Sequence, residues 1–129
     1  TWLRRNTTKV SELLERNARY DFFRRMTSAG PPGAQGVPLT PGRSLAIDPK
    51  FLTYGLPTWV DTIDPLDADK TLRRLFITQD TGGAIKGVVR GDVFFGHGRV
   101  AAKRAGSMNR RGRYYVMIPI YNKLYLVFI

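Results

Sequence analysis

There is no cysteine anywhere in the 129 residues. Disulfides, thiolate metal sites and a lipid-modified cysteine are excluded within them, and the redox compartment stays open. Long apolar runs are also missing. None approaches the roughly 20 residues that cross a bilayer as a helix. The longest candidate, Leu124-Tyr-Leu-Val-Phe-Ile129, has the length of a strand. No basic-then-apolar leader follows Thr1, so no signal peptide is expected within these residues. Histidine occurs once, as His97 between two glycines, and has no partner histidine or cysteine with which to hold a metal. Acids are scarce as well: 10 Asp and Glu stand against 21 Lys and Arg, a formal net charge of +11.

Such a charge attracts polyanions in general: nucleic acid, anionic lipid, or a polymer bearing carboxylates. The basic residues come as scattered pairs, Arg4-Arg5, Arg24-Arg25, Arg73-Arg74, Lys103-Arg104 and Arg110-Arg111. A nucleic-acid reader more often gathers them into one helix or stripe interleaved with stacking aromatics, so no nucleic-acid partner is expected. The acids lack the dense, regular spacing of a calcium loop, and no metal or other cofactor is expected.

Hydrophobic residues make up 43%, enough for the core of one domain. Residues 7–17 read as a short helix, with Thr7 or Thr8 as cap, Val10, Leu13 and Leu14 on one face and Asn17 as its stop. The aromatic stretch Arg19 to Arg24 reads as a strand. Residues 27–43 hold four of the eight prolines together with Gly30, Gly33, Gly36 and Gly42. They predict a stiff loop of the kind that carries function more often than a floppy linker does. Strands follow at Ser44–Ile47, Thr58–Asp61, Arg74–Thr78, Asp92–Phe95 and Arg113–Pro119, with an acidic loop over 61–69 and one or two helical turns within Ala101–Met108. Many short strands between glycine and proline signals predict a mainly β barrel or sandwich. Three parts are expected: residues 1–26 as helix and lead-in strand, 27–119 as the β domain, and 120–129 as an apolar tail.

The chemically informative segment runs from Asp80 to Gly98. Asp80 and Asp92 lie twelve residues apart, each at the edge of an apolar strand, with Gly82, Gly83 and Gly87 between them. Glycines let the backbone pass close to itself or to a ligand, which can bring the two acids together from different strands. Asp48, before Pro49, is a third acid at a strand end, and its simplest role is to shape a turn. Lys86 precedes the last glycine, so the segment is no phosphate loop. Tyr54, Trp59, Tyr114 and Tyr115 are read as core residues before sugar platforms.

The blocks Pro38-Leu-Thr-Pro-Gly-Arg-Ser-Leu-Ala-Ile-Asp48-Pro, Asp80-Thr-Gly-Gly-Ala-Ile-Lys-Gly, Gly91-Asp92-Val-Phe-Phe-Gly and Ala105-Gly106 together resemble the three-aspartate (3D) domain. More narrowly, they resemble that domain in the membrane-bound lytic transglycosylase A family. The resemblance covers roughly residues 15–119. It implies a six-stranded double-psi β-barrel with one or two short helices, acting on the glycan strands of peptidoglycan. It implies cleavage of the N-acetylmuramic acid to N-acetylglucosamine bond with a 1,6-anhydro product. By the same resemblance Asp92 is the catalytic acid, and Asp80 and Asp48 line or support the site. It further implies a periplasmic location, with outer-membrane attachment through sequence other than these residues.

The reaction suits a single carboxyl. The sugar's own 6-hydroxyl replaces water as nucleophile, so one group can protonate the leaving oxygen and then accept the hydroxyl proton. That group must begin protonated, which apolar walls from Val93, Phe94 and Phe95 and a like charge on Asp80 would favour. Arg90 lies two residues before Asp92, and a salt bridge there would oppose the acid role; it is expected to point elsewhere. In the stiff loop, Gln35 and Thr40 are candidates for sugar hydroxyls, with Asp48, Gly82, Gly83 and Lys86 completing the binding set. The competing expectation is a non-catalytic glycan-binding module of the same fold.

Overall fold

A computed structural model describes residues 2–16, 18, 25, 30–120 and 123–128. Two short helices, α1 (Trp2–Arg5) and α2 (Val10–Glu15), open the chain, with one 3-10 turn, Thr7–Lys9, between them. The threonines do not cap: they form the 3-10 turn itself, Asn6 and Lys9 occupy the cap positions, and neither donates or accepts a side-chain cap bond. The expected stop at Asn17 and the expected strand at Arg19 to Arg24 lie outside the described residues.

Six strands form one mixed sheet: β1 (Ser44–Ile47), β2 (Pro57–Ile63), β3 (Thr71–Asp80), β4 (Gly91–Val93), β5 (Gly112–Ile120) and β6 (Lys123–Phe128). Their order is β4-β1-β3-β2-β5-β6, with β1 parallel to β3 and every other pair antiparallel. The apolar tail therefore supplies a strand paired with β5. The acidic loop begins later than expected, because Asp61 to Ile63 continue β2. The strand expected at Asp92 to Phe95 is shorter, because Gly96, at φ 97°, turns the chain away. The third helix, α3 (Gly98–Ser107), is longer than expected, since its glycines sit near the two ends, where they cost least.

The core is built from alternate residues, as the pleat requires. Leu45 and Ile47 of β1, Val60 of β2, Phe76 of β3 and Val116 of β5 pack into one cluster with Leu52, and Tyr54, Leu56, Val93 and Tyr114 lie against it. Each such large side chain contributes about 1.5–3 kcal/mol by leaving water. The sheet curls until β4 meets β5 across this cluster, where the Tyr114 ring lies directly over Gly91. It does not close. Among the described residues no ladder joins β4 to β5 or β6, so a closed six-stranded barrel is not what these strands form. The reason is local: β4 is three residues long, and a tyrosine side chain rather than a backbone ladder spans the gap. Among the described residues no helix is long and apolar enough to cross a membrane.

Candidate functional site

The geometry starts at Ala46. It is the register partner of Asp80 on β3 and of Asp92 on β4, so the two acids flank one buried alanine in a single row across the sheet. Directly paired residues point to the same face. Leu45 and Ile47 point into the core, so Ser44, Ala46, Asp80 and Asp92 share the opposite face. With one strand between them, the Cα atoms of the acids are roughly 10 Å apart, two strand spacings. A bulge between Leu45 and Ala46 sets this register, since it lets Ala46 meet Asp80 after Leu45 has met Thr78.

The proline-glycine loop is fastened over this face. The Gln35 amide donates to the Gln79 carbonyl at 3.0 Å, and the Ala34 amide donates to Asp80 Oδ1 at 3.0 Å. Gly33 lies so close to the Gln79 carbonyl and the Leu39 side chain that no Cβ fits there. Beneath the loop, the buried Ser44 hydroxyl donates to Gln79 Oε1 at 2.6 Å and accepts the Thr40 amide at 2.8 Å. Thr40 and Gln35 are thus bound through their backbones, leaving both side chains on the exposed surface.

Asp48 is buried at the end of β1 and accepts the amides of Gly87 at 2.9 Å and Lys50 at 3.1 Å. These two bonds, Gly87 first, hold its carboxyl below the ordinary value, with the Lys86 and Lys50 charges assisting. Asp48 thereby ties the glycine-rich segment to the end of β1. Gly82 packs against the Ile85 side chain, while Gly83 and Lys86 are exposed.

Asp92 is half exposed, on the rim of a cleft of about 530 Å³ that lies between β4, the inner face of β2 and β5, and the end of α3. Val93 and Phe95 form part of its apolar wall, and Tyr114 faces it. Burial first, and then the Asp92 charge, push the Tyr114 hydroxyl up to about 12, so it is neutral in ordinary conditions. Arg90 does not point elsewhere. Its Nε donates to Asp92 Oδ1 at 2.9 Å and its Nη2 to Oδ2 at 3.3 Å, a two-pronged pair at the strand edge. The pair spans two residues, Arg90 just ahead of β4 and Asp92 within it, and the planar guanidinium matches both carboxylate oxygens.

Two parts of the site escape a linear reading. Tyr114 reaches Gly91, next to Asp92, only because the sheet curls, and nothing in its own neighbourhood marks it. Gln79 joins Ser44 through the packing of β3 on β1, a parallel pairing that short sequence motifs do not reveal. Phe95 is held from behind by Arg104, whose guanidinium lies 5.1 Å from the ring centre and donates to Asp64 Oδ2 at 2.6 Å.

The 3D domain model matches residues 43–118, which contain β1 to β4, the glycine-rich segment and nearly all of β5. The chain belongs to the 3D domain family. Among curated relatives, this 3D domain is 38% identical over 109 residues to membrane-bound lytic murein transglycosylase A of Vibrio cholerae, covering 81% of the chain and 29% of that protein. It is 36% identical over 114 residues to the protein of the same name in Escherichia coli, covering 84% and 31%. Among solved structures, MltA from Neisseria gonorrhoeae superposes with a TM-score of 0.83 at 40% identity, covering 95% of this chain and 31% of that one. The lytic transglycosylase LtgG of Burkholderia pseudomallei gives a TM-score of 0.68 at 47% identity, covering 89% and 35%. Escherichia coli MltA with bound chitohexaose gives 0.74 at 34% identity, covering 84% and 34%. The chain spans about three-tenths of the length of the curated relatives it matches.

Proposed function

We propose that this 3D domain carries the catalytic carboxyl of a peptidoglycan lytic transglycosylase, with Asp92 as its single acid and base. The observation that carries the reading is the position of Asp92: on an edge strand, at the rim of a cleft and in one row with Asp80. It is supported by relatives named lytic murein transglycosylase and by a similar structure that holds a chitohexaose. In the reaction, Asp92 gives its proton to the oxygen leaving N-acetylmuramic acid. The sugar's 6-hydroxyl then bonds to the anomeric carbon, and Asp92 takes the hydroxyl proton back, closing a 1,6-anhydro ring without water. Asp80, held by the loop amide, shapes the neighbouring floor, and Asp48 keeps the glycine-rich segment in register.

The arginine pair fits a resting arrangement. Arg90 grips both oxygens of Asp92, so an incoming glycan must displace the half-exposed guanidinium before either oxygen can meet the leaving group. In this reading further sequence completes the sheet into a double-psi barrel and supplies the opposite wall of the glycan groove. The whole protein then works in the periplasm, attached to the outer membrane. A second reading, a glycan-binding module without activity, draws on the same Arg90 pair if it persists with glycan bound.

The test is digestion of peptide-bearing glycan strands by the full-length protein, with mass analysis of the ends. Anhydro ends, lighter than hydrolysed ends by one water, are expected from the wild type and none from Asp92→Ala, whose melting temperature should stay unchanged because the side chain is exposed. Hydrolysed ends, or products from Asp92→Ala above background, refute the assignment.

A further inference from the structure

Three arginines around the curled sheet are paired with aspartates. Arg90 holds Asp92, Arg73 holds Asp61 and Arg104 holds Asp64. Arg110 and Arg111 differ. They lie between α3 and β5, line the same cleft as Asp92, are exposed, and meet no carboxylate among the described residues. The Arg111 carbonyl accepts the Thr62 hydroxyl at 2.8 Å, which anchors the segment to β2 while leaving its side chain out of that bond.

The charge of the cleft is therefore one-sided. Arg90, Arg110 and Arg111 line it against Asp92 alone, and Asp92 is already paired. Tyr114 adds no charge, being neutral in ordinary conditions. A cleft of about 530 Å³ is large enough for a small ligand or a short piece of a polymer. Planar guanidinium groups on exposed residues that meet no carboxylate among the described residues favour a carboxylate, which each can hold through two parallel bonds.

We propose that Arg110 and Arg111 form a carboxylate-binding subsite for the acidic stem peptide of the glycan strand. The inference rests on the transglycosylase reading. The chemistry of that substrate supplies the link: the muramic sugar whose bond is cut carries the peptide on its own lactyl ether. A strand placed at Asp92 thus brings peptide carboxylates within a few residues' reach of the same cleft. The subsite recognises the peptide-bearing strand and contributes affinity at a distance from the reacting atoms.

The experiment compares the full-length wild type with Arg110→Gln/Arg111→Gln and Arg110→Lys/Arg111→Lys, on peptide-bearing strands and on strands stripped of peptide. Cleavage and sedimentation binding are both read at low salt. The wild type is expected to show a lower KM and tighter binding for peptide-bearing strands. In the glutamine variant that preference should fall by about tenfold, as loss of charge-assisted contacts gives, with kcat little altered; the lysine variant should keep most of it. An equal loss on both substrates, or an unchanged preference, overturns the subsite. So does loss of binding to inorganic polyphosphate with peptide-bearing strands still preferred. If the wild type cleaves neither substrate, the transglycosylase reading fails, and the binding arm alone decides the arginines: a peptide preference lost in the glutamine variant upholds them.

Discussion

Gly91 sits beside Asp92 on β4, and its neighbour across the core is the Tyr114 ring. A Cβ added there would fall onto the Tyr114 hydroxyl, with Cζ at 2.8 Å and Cε2 at 3.2 Å. Carbon atoms in contact normally stand about 3.5–4.0 Å apart, and the hydroxyl lies closer still than Cζ, so Gly91→Ala needs a shift of more than about an ångström. The ring is packed against the core cluster, whereas β4 has three residues and, among the described residues, one ladder, to β1. The shift therefore falls mainly on β4, and Asp92 moves with it. Overpacking of this kind costs about 1–3 kcal/mol. Tyr114→Phe removes the nearest atom but leaves Cζ too close, so it should relieve only part of the cost, about 1 kcal/mol of coupling in a double-mutant cycle. Urea unfolding of the four proteins measures the cycle, and glycan cleavage by the same set reports the displacement of Asp92. A Gly91→Ala cost that is absent, or the same with Phe as with Tyr at position 114, would refute the reasoning.

Two further substitutions test other contacts. Gly33→Ala puts a Cβ against the Gln79 carbonyl and Leu39, and should cost about 2–3 kcal/mol, overpacking plus weakened loop bonds. Gly36→Ala, at φ 85° with open space around it, should cost only about 1 kcal/mol of left-handed strain; thermal unfolding showing the reverse order would contradict the packing argument. For Asp48, a folded carboxyl held below its ordinary value stabilises the protein above the unfolded value, about 3.9, and loses that contribution as pH falls through the folded value. Asp48→Asn should thus be less stable than wild type near neutrality and close to it at the acid end. Parallel melting curves down to pH 3 (about one unit below the unfolded value) would count against the bonds to Gly87 and Lys50.

What the sequence made legible were features that depend on local order. The positions of β1, β2 and β3, the turn at Asp48-Pro49 and the proline-glycine punctuation of the loop before β1 all follow from neighbouring residues. The pairing of Asp80 with Asp92 around Ala46 was hinted at by the glycines but needed a parallel partner and a bulge, both non-local. Arg90 shows the limit from the other side. Period-two spacing raised the ion pair with Asp92, the demands of the chemistry argued against it, and the electrostatics of an edge strand with one acid in reach decided for it. Closure of the barrel was beyond local reasoning too, since it turns on whether β4 finds a backbone partner, and there it finds the side chain of Tyr114.

The burial of β1 has a dynamic consequence. All four of its residues are hidden, and it is hydrogen-bonded on both sides, so its amides on the β3 side should exchange with solvent only in global unfolding. Among the described residues β4 hangs from it by one short ladder, and sub-global opening of such an element costs far less. Asp92 is therefore mounted on a segment that can detach and reseat while the rest of the sheet stays intact, and slow exchange at Leu45 beside fast exchange at Phe94, whose amide donates to the Ser44 carbonyl, would be its signature.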